Sequence, residues 1–200
     1  MSFSLRSTAI ASSALLALLV PAEAGNTTRA QSDAFAKKLA IIRQHAEQSP
    51  KSSRRTTVTE NELNSWFVYR APALLPAGVK DPKIVAVGNG KLLGTVIVDL
   101  EDVGKSKSSG GSLDAWKYLG GRVPISLSGV LKTKEGRGQF ELQSAQISGI
   151  PVPRFLVQEI VTHYTRDDER PNGIRLDDQF ALPASIKQID VGQGQAVVVQ

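Results

Sequence analysis

Between Gln31 and Gln48 the apolar residues Phe35, Leu39, Ile42 and Ala46 recur every three or four positions, the spacing of one helix face. Ser49-Pro50 ends this pattern. The basic, serine-rich stretch Lys51-Ser52-Ser53-Arg54-Arg55 then reads as a solvated linker. In "TENEL", Thr59 is a good N-cap and Glu62, three residues on, completes a capping box. The helix that starts there carries Leu63, Trp66, Phe67 and Arg70 on one face, and Pro72 stops it.

After Pro82 the period changes to that of strands. Residues 83–87 and 91–100 flank Asn89-Gly90, a pair that suits a primed hairpin turn. Leu92, Gly94, Val96, Val98 and Leu100 alternate with Lys91, Leu93, Thr95, Ile97 and Asp99, so one face is apolar and the other mixed. A flexible loop, "GKSKSSGGS" at 104–112, and a short helical turn, "LDAWKYLGG", follow. Residues 123–133 and 138–148 form a second hairpin across "KEGRG". In it Ile125, Leu127 and Leu131 meet Phe140 and Leu142, while Ser126, Ser128, Glu141 and Gln143 make a wet face.

In "SGIPVPRFL", Gly149 and Pro151 end the strand, and Pro153 suits the first turn of a helix over 152–166. The stripe of that helix is Leu156, Ile160 and Tyr164, widened by Phe155 and Val157. Strands at 174–182, 185–191 and 195–199 close the chain, with "LPAS" and "GQG" as turns. This order predicts an α+β fold. Its core is a long, curved, mostly antiparallel sheet wrapped around or covered by one or two helices.

The start of the chain adds a destination. Arg6, an apolar run over 9–20 and Ala22-Glu23-Ala24 have the form of a secretory signal peptide cleaved after Ala24. The run falls short of the roughly 20 apolar residues of a permanent span, though an uncleaved anchor is the alternative. The expected organisation is a signal peptide over 1–24, a helix and basic linker over 25–56, and one α+β domain over 57–200. The expected location is periplasmic or secreted. The chain has no cysteine, which excludes disulfides, thiolate metal sites, a cysteine nucleophile and a lipoprotein anchor. The net charge is +5, partly in Lys51, Arg54 and Arg55 and in Lys105 and Lys107. These runs are either solvated linkers or weak contacts for an anionic membrane surface, through Lys51, Arg54 and Arg55 above all. No aromatics interleave with them, which argues against nucleic acid.

Chemistry is thin. His45 and His163, the only histidines, fall on different helices, and no serine sits in a nucleophile elbow near His163. Asp99, Glu101 and Asp102, like Asp167, Asp168 and Glu169, cluster near strand or helix ends without the spacing of a calcium loop. "GNGK", "GRG" and "GQG" do not join a strand to a helix, so they read as turns rather than phosphate cradles. No enzyme activity, cofactor or metal is expected. Trp66 and Phe67, with Tyr69, are either core or the lining of an apolar space between helix and sheet; the same choice applies to Phe155, Leu156, Ile160 and Tyr164.

The order of motifs resembles a known group. "TVTENELNSWF", "GKLLGTVIVDL", "GQFELQSAQISGIPVPRFLV" and "FALPASIKQIDVGQGQAVV" are similar to the helix, hairpin strand, G-x-P-x-P junction and closing strands of small exported bacterial proteins. These are the LmeA-like phospholipid-binding and YpmS-like families, related to tubular lipid-binding (TULIP-like) and AsmA-like envelope proteins. The resemblance covers residues 57 to 200 and is carried by apolar positions and turns. It implies a highly curved sheet around a long helix, with an interior able to hold acyl chains. It supplies no catalytic residue. The helix at 31–48 departs from the pattern, as does the lack of the long N-terminal anchor of the YpmS-like proteins.

Two functions follow as expectations. The first is a non-enzymatic, phospholipid-binding protein of the bacterial cell envelope, its ligand lined by Trp66, Phe67, Val96, Val98, Phe155, Leu156, Ile160 and Tyr164. The second is a structural or interaction module with a filled core, in which strands ending in "QAVVVQ" leave an edge for a partner.

Overall fold

The computed structural model describes residues 27–48, 52–76, 78–99, 121–166 and 171–200, and for Ile160, His163, Tyr164 and Thr165 the backbone alone. The segments expected to be a signal peptide and the 104–112 loop, and nearly all of the expected turn after it, lie outside the described residues, as do Lys51, Glu101, Asp102 and residues 167–170.

Helix α1 (Arg29–Glu47) buries Phe35 and Ile42, two members of the periodic stripe. Its N-cap Thr28 accepts from the Gln31 amide. Where a linker is expected, strand β1 (Arg55–Thr59) runs straight into helix α2 (Glu60–Tyr69). The capping box at this junction is complete. Thr59 Oγ1 accepts from the Glu62 amide, and the Glu62 carboxylate accepts from the Thr59 amide at 2.8 Å. Pro72 opens a short 3-10 turn, Pro72–Leu74, and the helix does not resume.

Strands β2 (Val79–Gly88), β3 (Lys91–Asp99), β4 (Arg122–Lys134) and β5 (Arg137–Ile147) pair antiparallel in sequence order. Strand β2 starts before Pro82, because the ladder shifts between Lys80 and Lys83 and lets the proline sit in a bulge of an edge strand. Asn89 and Gly90 have φ of 52° and 78°, and Glu135 and Gly136 have 50° and 79°, as two-residue primed turns require. A third such turn stands where the strand is expected simply to end. Ser148 and Gly149 (φ 51° and 79°) reverse the chain, and β6 (Ile150–Pro151) pairs back onto β5.

Helix α3 (Arg154–Thr165) follows with Pro153 as its N-cap. The strand expected over 174–182 shrinks to β7 (Phe180–Ala181), which pairs with the start of β5. Residues 171–178 form turns that pack on α3. Gln158 accepts from the Leu176 amide and donates to the Ile174 carbonyl, and a Cβ on Gly173 would lie 2.3 Å from the Thr162 carbonyl oxygen.

Strands β8 (Gln188–Gly192) and β9 (Gln195–Val199) join β1 in a separate three-stranded sheet of order β1-β9-β8. The free edge of β8 lies across the two hairpin tips of the large sheet. There Gly90 donates to the Val191 carbonyl, Gly136 donates to Lys187, and Thr133 Oγ1 both accepts from and donates to the backbone of Ile189. A buried apolar cluster belongs to this smaller sheet: Ile42, Ile186 and Val198, with Leu182, Ala184 and Ile189 against them. Gln200 fastens it to α1 by donating to the carbonyls of Ile42 and Ala184. The whole is an α+β fold with a large antiparallel sheet, not closed into a barrel, and helices laid against it.

Candidate functional site: a half-open apolar sheet face

Directly opposed residues in a sheet project from the same face, so the registers define both faces of β2–β5. One row runs Ile84–Gly94–Leu127–Ala145, the next Val96–Ile125–Ile147, and the outermost Val79–Val98–Val123. Toward the hairpin tips the same face continues with Ala86–Leu92–Gly129–Leu142 and Leu131–Phe140. The apolar face expected from the alternation in β3 thus continues unbroken across four strands. Its opposite carries Lys91, Thr95, Ser126, Ser128, Lys132 and Glu141, with Lys132 and Glu141 ion-paired.

A packed core would bury this face. Ala86, Val123, Gly129 and Ala145 are buried, but Ile84, Leu92, Val96, Val98, Ile125, Leu127, Phe140, Leu142 and Ile147 all keep partial exposure. At the centre, no described atom lies within 4 Å of where a Cβ on Gly94 would stand. Gly129 is the opposite case. The Phe140 ring lies over it, and an added Cβ would come within 2.5 Å of the Glu141 carbonyl oxygen.

The helices stand at the edges of this strip. On the β2 side, the Asn64 side chain does what a neighbouring strand would do. It donates to the Ile84 carbonyl and accepts from the Ile84 amide, both at 2.8 Å. Glu60 accepts from the Ala86 amide at 2.9 Å. On the β5 side, Val152 donates to the Ala145 carbonyl and Arg154 to that of Leu142. The result is a shallow apolar floor about four strands wide, with helix α2 along one side and α3 along the other.

The expected lining residues separate here. Val96 and Val98 lie on the floor. Trp66 is half-buried and packs edge-on to Phe35 at 5.7 Å, which places it in the contact between α1 and α2. Phe67 is half-buried beside it, at 5.8 Å between ring centres. Phe155 is 63% exposed and so lines no interior; among the described side chains of α3 Val157, at 7%, is the buried one, with Leu156 half-buried. The side chains of Ile160 and Tyr164 lie outside the described residues. Ile84, Ile125, Leu127, Leu142 and Ile147 join the floor instead. Their alternation was visible in the sequence, but only the register shows that they share one face with Val96.

The α1–α2 contact is polar as well as aromatic. Lys38 Nζ reaches both Glu62 oxygens, at 2.6 and 2.7 Å, and Ser65, fully buried, accepts from Thr28 and donates to Gln31. Burial pushes the Glu62 carboxyl up, but hydrogen bonds from Lys38 and the Thr59 amide outweigh it and hold the group below its ordinary range. The Arg70 guanidinium does the same for exposed Asp33.

Little else invites chemistry. Hollows of about 300 and 200 Å³ lie at the hairpin tips beside Asp190 and between α2 and Lys83. Both are open, and the polar groups Thr133, Asn64 and Glu60 in their walls already hold backbone partners. Asp99 of the expected acidic cluster is held by Lys80 at 2.8 Å and Arg122 at 3.5 Å. Among the described residues no three metal-binding side chains come together, and no helix is long and apolar enough to cross a membrane. The chain matches no family model, no curated protein and no solved structure.

Proposed function

We propose that this chain is an exported, non-enzymatic lipid-binding protein. In this reading the acyl chains of a phospholipid-like molecule lie on the floor formed by Ile84, Val96, Val98, Ile125, Leu127 and Leu142. The observation that carries the proposal is the row Ile84–Gly94–Leu127–Ala145. It is apolar from edge to edge, yet its large members stay partly exposed and no described atom stands within 4 Å of the Cβ position at Gly94. A fold that only needed stability would close such a face, at about 25 cal/mol per Å² of apolar surface removed from water. The likeness of the sequence motifs to exported phospholipid-binding proteins points the same way. The signal-like start of the chain agrees with a periplasmic or extracellular site of action.

The test is organic extraction of the purified native protein followed by mass spectrometry. Co-purifying phospholipid, displaced by added fatty acid or detergent, is the expected result. A lipid-free protein that also takes up no monomeric phospholipid would overturn the proposal.

The alternative reading as an interaction module needs an edge other than that of "QAVVVQ". Strand β9 is the central strand of its sheet, paired on both sides by β1 and β8, so "QAVVVQ" offers no edge to a partner.

A further inference from the structure

A lipid held on the floor must enter from somewhere, and one corner of the molecule has the character of an entrance. The row Val96–Ile125–Ile147 continues past the last long strand to Ile150 of β6, which is opposed to Ile147 and is 69% exposed. Five residues on, Phe155 is 63% exposed at the start of α3. Between them stand Pro151 and Pro153, so both side chains project from a backbone with little freedom to fold them away. The primed turn at Ser148-Gly149 and the hydrogen bond from the Ser148 amide to the Pro124 carbonyl, at 2.8 Å, fix the corner to the sheet.

Charge agrees with one kind of partner. Arg122, two residues before Pro124 on β4, has a side chain 69% exposed. Its carboxylate neighbour is Asp99, 3.5 Å away, which also holds Lys80 at 2.8 Å. Arg154, between the prolines and Phe155, is tethered by Asp177 and the Leu142 carbonyl, with half its side chain still exposed. Arg122, on the opposite face at the same end of the sheet, and Arg154 flank the apolar projection, an arrangement that fits a surface that is phosphate outside and hydrocarbon within. It fits a protein partner less well, since a stable protein interface takes about 20–30 residues from each side.

We propose that the corner 148–155 docks the protein on a phospholipid bilayer. Ile150 and Phe155 enter the acyl-chain boundary, and Arg122 meets lipid phosphates. The row through Ile147 then leads from the bilayer onto the floor. This rests on the lipid-binding reading above, and the test separates the two.

The full chain is floated through a density gradient with vesicles of phosphatidylglycerol and phosphatidylcholine, and with vesicles of phosphatidylcholine alone. Wild-type protein floats, more strongly with the anionic vesicles. I150S/F155S, checked for native circular dichroism, loses partitioning on the order of a hundredfold, about tenfold for each large side chain left in water. R122Q reduces binding by a few-fold, and chiefly to the anionic vesicles. Uptake of a monomeric short-chain phospholipid by the wild type, without vesicles, reads the floor by itself. Wild type that fails to float, or I150S/F155S that floats equally well, overturns the docking proposal whatever the monomer assay gives. Binding only to native envelope vesicles, abolished by trypsin treatment of those vesicles, also overturns it and puts a protein in place of the bilayer. Corner-dependent flotation without monomer uptake leaves the docking standing and removes the lipid floor.

Discussion

Gly94→Val asks directly whether the floor is open. Gly94 has no left-handed backbone to protect, and a Cβ there meets no described atom within 4 Å. On an open floor the valine removes the entropic cost of a strand glycine, about 0.5–1 kcal/mol. It also gains cross-strand contacts with Ile84 and Leu127, worth roughly 0.2–1 kcal/mol each. The sum is a stabilisation of about 1–3 kcal/mol. On a floor already filled, the same three carbons overpack it and cost about 1–3 kcal/mol. The two cases differ in sign, which makes the measurement decisive. Urea unfolding followed by tryptophan fluorescence shifts its midpoint up by roughly 0.5–1.5 M if the slope is about 2 kcal/mol per M. Lipid retained after purification falls in the same variant, because the valine takes space an acyl chain would use. A midpoint that drops, or lipid content that does not change, refutes the reasoning.

Other perturbations test the frame around the floor. Gly129→Ala forces its Cβ against Phe140 and the Glu141 carbonyl, and should cost about 1–3 kcal/mol in the same urea assay; a neutral result would mean the ring does not rest there. Asn64→Ala strands both backbone groups of Ile84 at the β2 edge, a loss of about 2–3 kcal/mol. Asn64→Asp, which keeps the acceptor and loses the donor, should not restore the midpoint; full restoration would show that the donor to the Ile84 carbonyl is dispensable. Glu62 is held below its ordinary carboxyl range when folded, so its contribution is present above about pH 4.5 and is lost as pH falls through the lower folded value. Glu62→Gln should therefore cost about 1–2 kcal/mol at pH 7 and much less at pH 3, with Lys38 partly exposed and so cushioned by water. An equal penalty at both pH values would contradict the pairing.

The parts of the fold legible in the sequence are those decided within a few residues. The Thr59–Glu62 capping box and the turns at Asn89-Gly90 and Glu135-Gly136 each carry their own chemistry, so they can be read without knowing what lies across from them. Strand β1 could not be read this way. Its sole strand partner among the described residues is β9, some 140 positions away, and Arg54-Arg55 beside it look like a linker. Strand β2 hid its beginning behind Pro82, because a bulge tolerates what a regular ladder does not. The run from Ile174 looked like a strand because its apolar residues alternate, but Pro171-Asn172-Gly173 and the bonds from Gln158 hold it in turns against α3. At the site, the apolar face was readable from the β3 alternation. The exposure of Phe155 was not, since a helix stripe does not say which of two adjacent apolar residues meets the sheet. Nothing local marks Asn64 as the side chain that finishes a strand edge.

The pairing of β1 with β9 also orders events in time. A growing chain has α1, β1 and α2 long before it has the residues that hold them: the strand opposite β1, and Gln200, which clasps Ile42 and Ala184. Until β9 emerges, β1 and β8 have no common partner and the small sheet does not exist. Folding that waits on so distant a contact is slow to begin. The same wiring concentrates risk at one end. Loss of β9 removes the middle of a sheet and the fastening of α1 together, so a chain cut short by a handful of residues would forfeit far more than an edge.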